Sequence, residues 1–243
     1  MSGDGREALL LIPGHLCNAQ MWRHQVAGLA DVADVRVATP GARESLAALA
    51  DDVLAAAPER FALVGFSLGG YIALEIMRRT PDRVSRLALL DTTARPDTPE
   101  RSASRRSGIA AVERGKFDLV VAAFVEAVSG PVVRDSPALA RELRAMMAST
   151  GEAAYIAQQR AMIARPDARS GLAVIRCPTL VAWGAEDETT PAEGHLEIAA
   201  AIPGAFATAI ERAAHMTPME QPEAVTALLR IWLQLPAAAT ATR

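Results

Sequence analysis

The sequence predicts the α/β class: a doubly wound parallel sheet of about six strands carrying a helical insertion. Three observations lead there. Short apolar runs ending in turn residues recur along the chain, and stretches of helical periodicity separate them. The alternation stops between Thr93 and Ile175, where only helical patterns remain. Runs apolar on both faces suit buried parallel strands with helices packed on each side.

The runs are ALLLIP near residues 8–13, VRVATP near 35–40 and FALVGF near 61–66, then RLALLD near 86–91, PTLVAWG near 178–184 and AFATAI near 205–210. LGGYIALEIMRR and PEAVTALLRIWLQ are the clearest helical patterns between them. The stretch 93–175 holds several helical segments, PERSASRRSGIAAVERG, FDLVVAAFVEAVSG, SPALARELRAMMAST and GEAAYIAQQRAMIAR, and no convincing strand. Set between two strands, it reads as a lid over the carboxyl edge of the sheet, where α/β ligands bind. The alternative is a separate helical domain with its own core. The expected organisation is a core of residues 1–92 and 176–235, a lid of 93–175 and a flexible tail of 236–243.

With 51% hydrophobic and 22% charged residues among 243, the chain has the balance of an ordinary globular protein. At this size it buries roughly 70–75% of its unfolded surface and needs no staples. A net charge of −3 argues against a dedicated nucleic-acid binder. Cys17 and Cys177 make neither a disulfide framework nor a zinc site, so a reducing cytoplasm is the expected setting. No run approaches the length of a membrane span, and the N-terminus does not have the form of a signal peptide. The expected partner is a small-molecule substrate, with neither nucleic acid nor membrane. Segment 93–175 has 12 basic and 9 acidic residues against 13 and 19 elsewhere, a charge division suited to an anionic substrate or to a solvated helical surface.

Gly65-Phe66-Ser67-Leu68-Gly69 matches G-x-S-x-G, with a strand before it and a helix after it, as a nucleophile elbow requires. An activated serine needs a base in hydrogen-bond reach and an acid to fix the base's tautomer, here in the chain order serine, acid, histidine. Of the four histidines, His15 and His24 precede the serine, and His195 sits in a helical pattern as a surface or satisfied residue. His215 follows the last strand, in ERAAHMTPMEQPE, and is the candidate base. The loop after PTLVAWG offers Glu186, Asp187 and Glu188 as acids, and Asp91 competes from one strand earlier; its other role would be to tie down the start of the insertion. For the oxyanion, one backbone N–H comes from Leu68 at a helix N-terminus; the other is expected from His15 after the first strand, with Leu16 next in line.

On PGHLCNAQMW, VGFSLGGYIALE, GAEDETTP and AAHMTPMEQPEAV, the chain resembles the α/β-hydrolase-fold enzymes, in their small lid-bearing esterase, lactonase and C–C hydrolase group. The resemblance spans the core and is only generic in the lid. It places the acid at Asp187, three residues after the strand's final glycine and four before a proline, and the histidine at His215. Departures are Pro13 before the oxyanion-loop glycine and Ala214 where a glycine usually precedes the histidine. The N-terminus leaves no room for the family's first two strands, so the sheet is expected to be six-stranded and all parallel.

The resemblance implies hydrolysis of a small carboxylic ester or lactone through an acyl-enzyme on Ser67, with no metal or organic cofactor. The alternatives are a C–C hydrolase or lyase using the same residues for proton transfer, and a non-catalytic ligand-binding protein on this scaffold. Arg95, Arg101, Arg105, Arg106 and Arg160 are candidates to hold a substrate carboxylate or are surface residues. Trp22 lies near the pocket or packs in the core.

Overall fold

A computed structural model describes residues 6–38 and 40–236, so most of the expected tail, residues 237–243, lies outside the described residues. Six strands form one sheet: β1 (Glu7–Ile12), β2 (Ala33–Val37), β3 (Phe61–Phe66), β4 (Val84–Leu90), β5 (Thr179–Gly184) and β6 (Phe206–Ile210). All pairings are parallel and the spatial order is β2-β1-β3-β4-β5-β6. The inner strands β3, β4 and β5 are buried at every residue, whereas the edge strands β2 and β6 each fully bury one residue of five.

Because side chains alternate across a strand, each strand feeds two cores. Leu9, Leu11, Val64, Phe66, Ala88, Leu90, Leu180 and Ala182 face one side, against α1 (Arg23–Leu29) and α11 (Pro222–Gln234). Leu10, Ile12, Leu63, Leu87, Leu89, Val181 and Trp183 face the other, against α2 (Leu46–Ala56), α3 (Leu68–Arg79) and α9 (Ala192–Ala201). Each such leucine or valine contributes roughly 1.5–3 kcal/mol by leaving water.

Between β4 and β5 run α4 (Pro99–Glu113), α5 (Phe117–Val128), α6 (Pro131–Arg134), α7 (Pro137–Ser149) and α8 (Glu152–Ile163). The side chains of Thr98 and Ser136 accept from the N–H of Arg101 and Leu139, and a proline opens each helix, so α4 and α7 start where their sequences say they should. The apolar faces of these helices do not close on themselves. Ile109, Val121, Val125, Met146, Met147 and Tyr155 belong to the same apolar cluster as Leu16, Trp22 and Phe66 of the sheet side. The two ends of the insertion are tied together: Asp97 pairs with Arg105 and with Arg165, Ala168 N–H donates to Ala94 O at 2.9 Å, and Arg165 lies 4.5 Å over the Tyr71 ring. The four-residue helices α6 and α10 (Thr217–Glu220) are too short to show a period in sequence.

Candidate active site

Four non-glycine residues among those described have left-handed φ: Leu16 (57°), Ser67 (52°), Asp91 (47°) and Arg212 (57°). Each follows the carboxyl end of a strand, β1, β3, β4 and β6 in turn. Backbone strain of this kind is concentrated where side chains must be aimed, and it falls on the edge expected to bind ligand.

Ser67, at φ 52° and ψ −114°, turns the chain from β3 into α3. The turn closes only because two positions lack a Cβ. One at Gly65 would stand 2.4 Å from Gly69 O, and one at Gly69 would stand 2.2 Å from Ile12 O. Ser67 N–H donates to Leu90 O, and its carbonyl accepts from Gly70 N–H and the Thr92 hydroxyl. Although Ser67 holds the N-cap position of α3, its side chain makes no capping bond. Its Oγ instead lies 2.9 Å from His215 Nε2.

His215 is buried and its Nδ1 lies 2.8 Å from Asp187 Oδ2. A carboxylate only accepts, so Nδ1 carries the proton and Nε2 is left to accept from Ser67. Asp187 is buried, whereas its neighbours Glu186 and Glu188 are exposed. Asp187 Oδ1 accepts from the N–H groups of Thr189 and Thr190 at 2.8 and 2.9 Å, and Oδ2 accepts from the Thr190 hydroxyl at 2.6 Å. Burial pushes this carboxyl up, but the charge and hydrogen bond of His215 and the bonds of Thr190 outweigh it, leaving Asp187 below its usual range. Ala214 keeps a negative φ, and the left-handed residue of this loop is Arg212, so alanine fits where glycine was usual.

At the head of α3, Leu68 N–H has no intrahelical acceptor. Among the described residues His15 N–H makes no hydrogen bond either, while Leu16 N–H is turned away, toward Gln158 Oε1 at 3.4 Å. The Gly14 Cα sits against the serine: a Cβ there would be 3.2 Å from Ser67 Cβ. The His15 side chain bonds Gln158 through Nδ1 at 2.9 Å and packs on Phe124 and Tyr155. Burial, opposed by the Gln158 bond and aided by the Arg105 charge, lowers His15 to about 3, which keeps the ring neutral.

Asp91 does not anchor the start of the insertion. Its Oδ1 accepts from Gly184 N–H at 2.9 Å and its Oδ2 from the Thr217 hydroxyl, so it joins the ends of β4 and β5 to α10. Burial and the charge of Asp187 push Asp91 well above the usual carboxylate range. His195 is a satisfied core histidine: Nε2 accepts from Thr92 N–H at 2.8 Å, Nδ1 faces Pro191 O, and the ring stacks on Trp183. Trp22 is fully buried and meets Phe66 edge-on, a packing role.

Gln158 and Glu220 were not among the residues expected from sequence. Glu220 Oε1 accepts from Ala214 N–H and Met216 N–H, both at 3.2 Å, and so grips His215 from either side. Gln158 reaches loops more than 100 positions away and Glu220 acts four to six positions back, but both bind mainly backbone groups, which any residue type supplies and no sequence pattern marks.

Asp91, Asp187 and His215 place ligand-capable atoms within 4.8 Å of one another, a spacing a metal ion can use. Their carboxylate oxygens, however, already accept from backbone N–H, threonine hydroxyls and the imidazole, so the cluster is wired as hydrogen bonds. The insertion's arginines are also mostly engaged: Arg95 with Glu197, Arg101 with Thr189 O, Arg105 with Asp97 and Gln159, Arg160 with Glu44 and Glu113. A cavity of about 670 Å³ opens elsewhere, between α2, α3 and residues 164–175, and none of Ser67, Asp187 and His215 lines it.

A model of the alpha/beta hydrolase family matches residues 9–228. The chain belongs to that family. It is 31% identical to the pimeloyl-[acyl-carrier protein] methyl ester esterase of Chromobacterium violaceum over 175 residues, 69% of this chain and 68% of the other. A thermophilic esterase from Thermogutta terrifontis superimposes with a TM-score of 0.86 at 31% identity, over 94% of this chain and 89% of that one. A hydrolase from Pseudomonas aeruginosa PA01 gives 0.84 at 28% identity, over 96% and 92%. This α/β hydrolase is therefore an enzyme on a six-stranded version of the fold. No helix among its described residues is long and apolar enough to cross a membrane.

Proposed function

We propose that the protein hydrolyses a small carboxylic ester or lactone by two-step acyl transfer, with Ser67 as nucleophile, His215 as base and Asp187 as its orienting acid. The observation that carries this reading is the continuous relay Ser67 Oγ–His215 Nε2 at 2.9 Å and His215 Nδ1–Asp187 Oδ2 at 2.8 Å at the carboxyl edge, with His215 and Asp187 buried and Ser67 half-buried. His215 takes the serine proton as Oγ attacks the carbonyl carbon. The oxyanion is met by the N–H groups of His15 and Leu68, the latter at the positive end of α3. His215 then returns the proton to the leaving alkoxide, and water, deprotonated by the same imidazole, releases the acid.

The insertion 93–175 serves as the lid over this site. Its apolar cluster is continuous with Leu16, Phe66 and Met216 beside the relay, and four of the five candidate arginines already have partners. An uncharged, apolar acyl group fits these surroundings better than an anionic one. The similarity to esterases, among them methyl ester esterases, supports the same choice of bond. Two unpaired buried cysteines support a cytoplasmic setting. We expect neither nucleic acid nor membrane as partner.

The test is a panel of esters and lactones varied in acyl length and charge, run on wild type and Ser67→Ala. Serine-dependent turnover, strongest with neutral apolar acyl groups, is the expected result. No serine-dependent turnover on any member would sink the reading.

A further inference from the structure

The buried amide of Gln158 makes four contacts with two separate core loops. It projects from α8 with its side chain sealed from solvent. Its Nε2 donates to Pro40 O at 3.2 Å and Gly41 O at 3.3 Å, in the loop after β2. Its Oε1 is thereby turned toward the loop after β1, to His15 Nδ1 at 2.9 Å and Leu16 N–H at 3.4 Å. Reversing the amide would set its oxygen against two carbonyls and its NH₂ against an N–H, so the orientation is fixed. It follows that His15 carries its proton on Nδ1, with Nε2 bare and, among the described residues, without a partner between lid aromatics.

We propose that Gln158 is a positioning residue for the oxyanion hole, through which the insertion holds the catalytic loop in its working shape. This rests on the acyl-transfer reading above. Leu16 holds a left-handed φ of 57°, which a leucine abandons unless its surroundings enforce it. Gln158 takes up the Leu16 N–H and locks the ring of the preceding residue. Among the described residues the N–H of the pair left unbonded is that of His15, next to the Gly14 that packs on Ser67. Without the amide, Leu16 is free to relax and the His15 peptide to rotate, so the oxyanion loses an aligned donor. Binding of the planar ester depends little on that donor, whereas the tetrahedral oxyanion depends on it strongly. The effect therefore belongs in kcat.

The experiment compares wild type with Gln158→Leu, which keeps the volume, and Gln158→Asn, whose shorter amide fails to span both loops. Steady-state kinetics on the best ester of the panel are paired with binding of a trifluoromethyl ketone that mimics the tetrahedral state. We expect kcat to fall by roughly 10- to 100-fold, below the full loss of a donor, with KM changed by less than about threefold. Affinity for the ketone should fall in step with kcat/KM. If Gln158→Leu does not fold, Gln158→Asn is read by the same criteria. Undiminished kcat, a loss confined to KM, or unchanged ketone affinity in a folded variant would overturn the inference alone. Absence of Ser67-dependent turnover in wild type would instead overturn the acyl-transfer reading and this inference with it.

Discussion

Asp91 and Asp187 lie side by side behind His215, yet only Asp187 touches the imidazole, at 2.8 Å. Their surroundings separate them further. Asp187 is held below its usual range by His215 and Thr190 despite its burial, whereas burial and the neighbouring charge push Asp91 well above it. Asp187 is the charged partner and Asp91 the structural one. Asp187→Asn should lower kcat by roughly 10³- to 10⁴-fold, because the amide favours the wrong imidazole tautomer. Asp91→Asn retains an acceptor for Gly184 N–H and should cost less than about tenfold. Steady-state kinetics on the two variants check this, and equal losses would contradict the division of roles.

Glu220 holds His215 by its flanking amides, and its second oxygen lies under Gly130 of the insertion. A Cβ at Gly130 would stand 2.1 Å from Glu220 Oε2 and 2.7 Å from Ala214 N. Gly130→Ala should therefore displace the His215 loop, lowering both kcat and the thermal midpoint. Glu220→Ala leaves two buried N–H groups unpaired and should cost about 1–3 kcal/mol of stability together with activity. Thermal melts with parallel rate measurements decide the matter. A Gly130→Ala enzyme that matches wild type in both would show that the loop is not held there.

Two buried histidines make folding stability depend on pH. Burial lowers His195 from 6.5 to about 4, against the pull of Asp187, and His15 from 6.5 to about 3. The unfolded chain takes up these protons first, so stability is complete above about pH 6.5 and falls as pH drops toward 4. At about 1.4 kcal/mol per unit, His195 alone accounts for on the order of 3 kcal/mol near pH 4. Urea unfolding at a series of pH values should show the slope, and His195→Gln should flatten it. An unchanged slope in that variant would contradict the assignment.

Helix capping offers a check outside the site. Ser45 Oγ accepts from Ala48 N–H at 3.2 Å at the start of α2. Ser45→Ala should cost about 1 kcal/mol, seen as a lower denaturation midpoint with kcat unchanged. A loss of activity there would mean that α2 matters to the site in a way the geometry does not indicate.

What the sequence made legible follows from how each residue acts. The inner strands were readable because burial on both faces leaves an unbroken apolar run, as in FALVGF. Ser67 announced itself through glycines that the turn requires, and His215 through its place after the last strand. Among three adjacent carboxylates, local sequence did not separate Asp187 from Glu186 and Glu188, and resemblance had to do so. Burial separates them in the fold: the middle residue points inward and its neighbours outward. Asp91 reads in sequence as a competing acid or as a tie for the start of the insertion, but its partners Gly184 and Thr217 come from elements 93 and 126 residues later. Gln158 meets His15 across 143 positions. Contacts of that range depend on the assembled sheet and leave no local pattern.

The central claim is that Ser67 is activated by His215. The most direct measurement is the site and stoichiometry of reaction with a fluorophosphonate, followed by intact mass and peptide mapping on wild type and His215→Ala. We expect one adduct per chain, on Ser67, blocked by a good ester substrate and nearly absent in His215→Ala. An adduct on another residue, or equally fast labelling of Ser67 without His215, would contradict it.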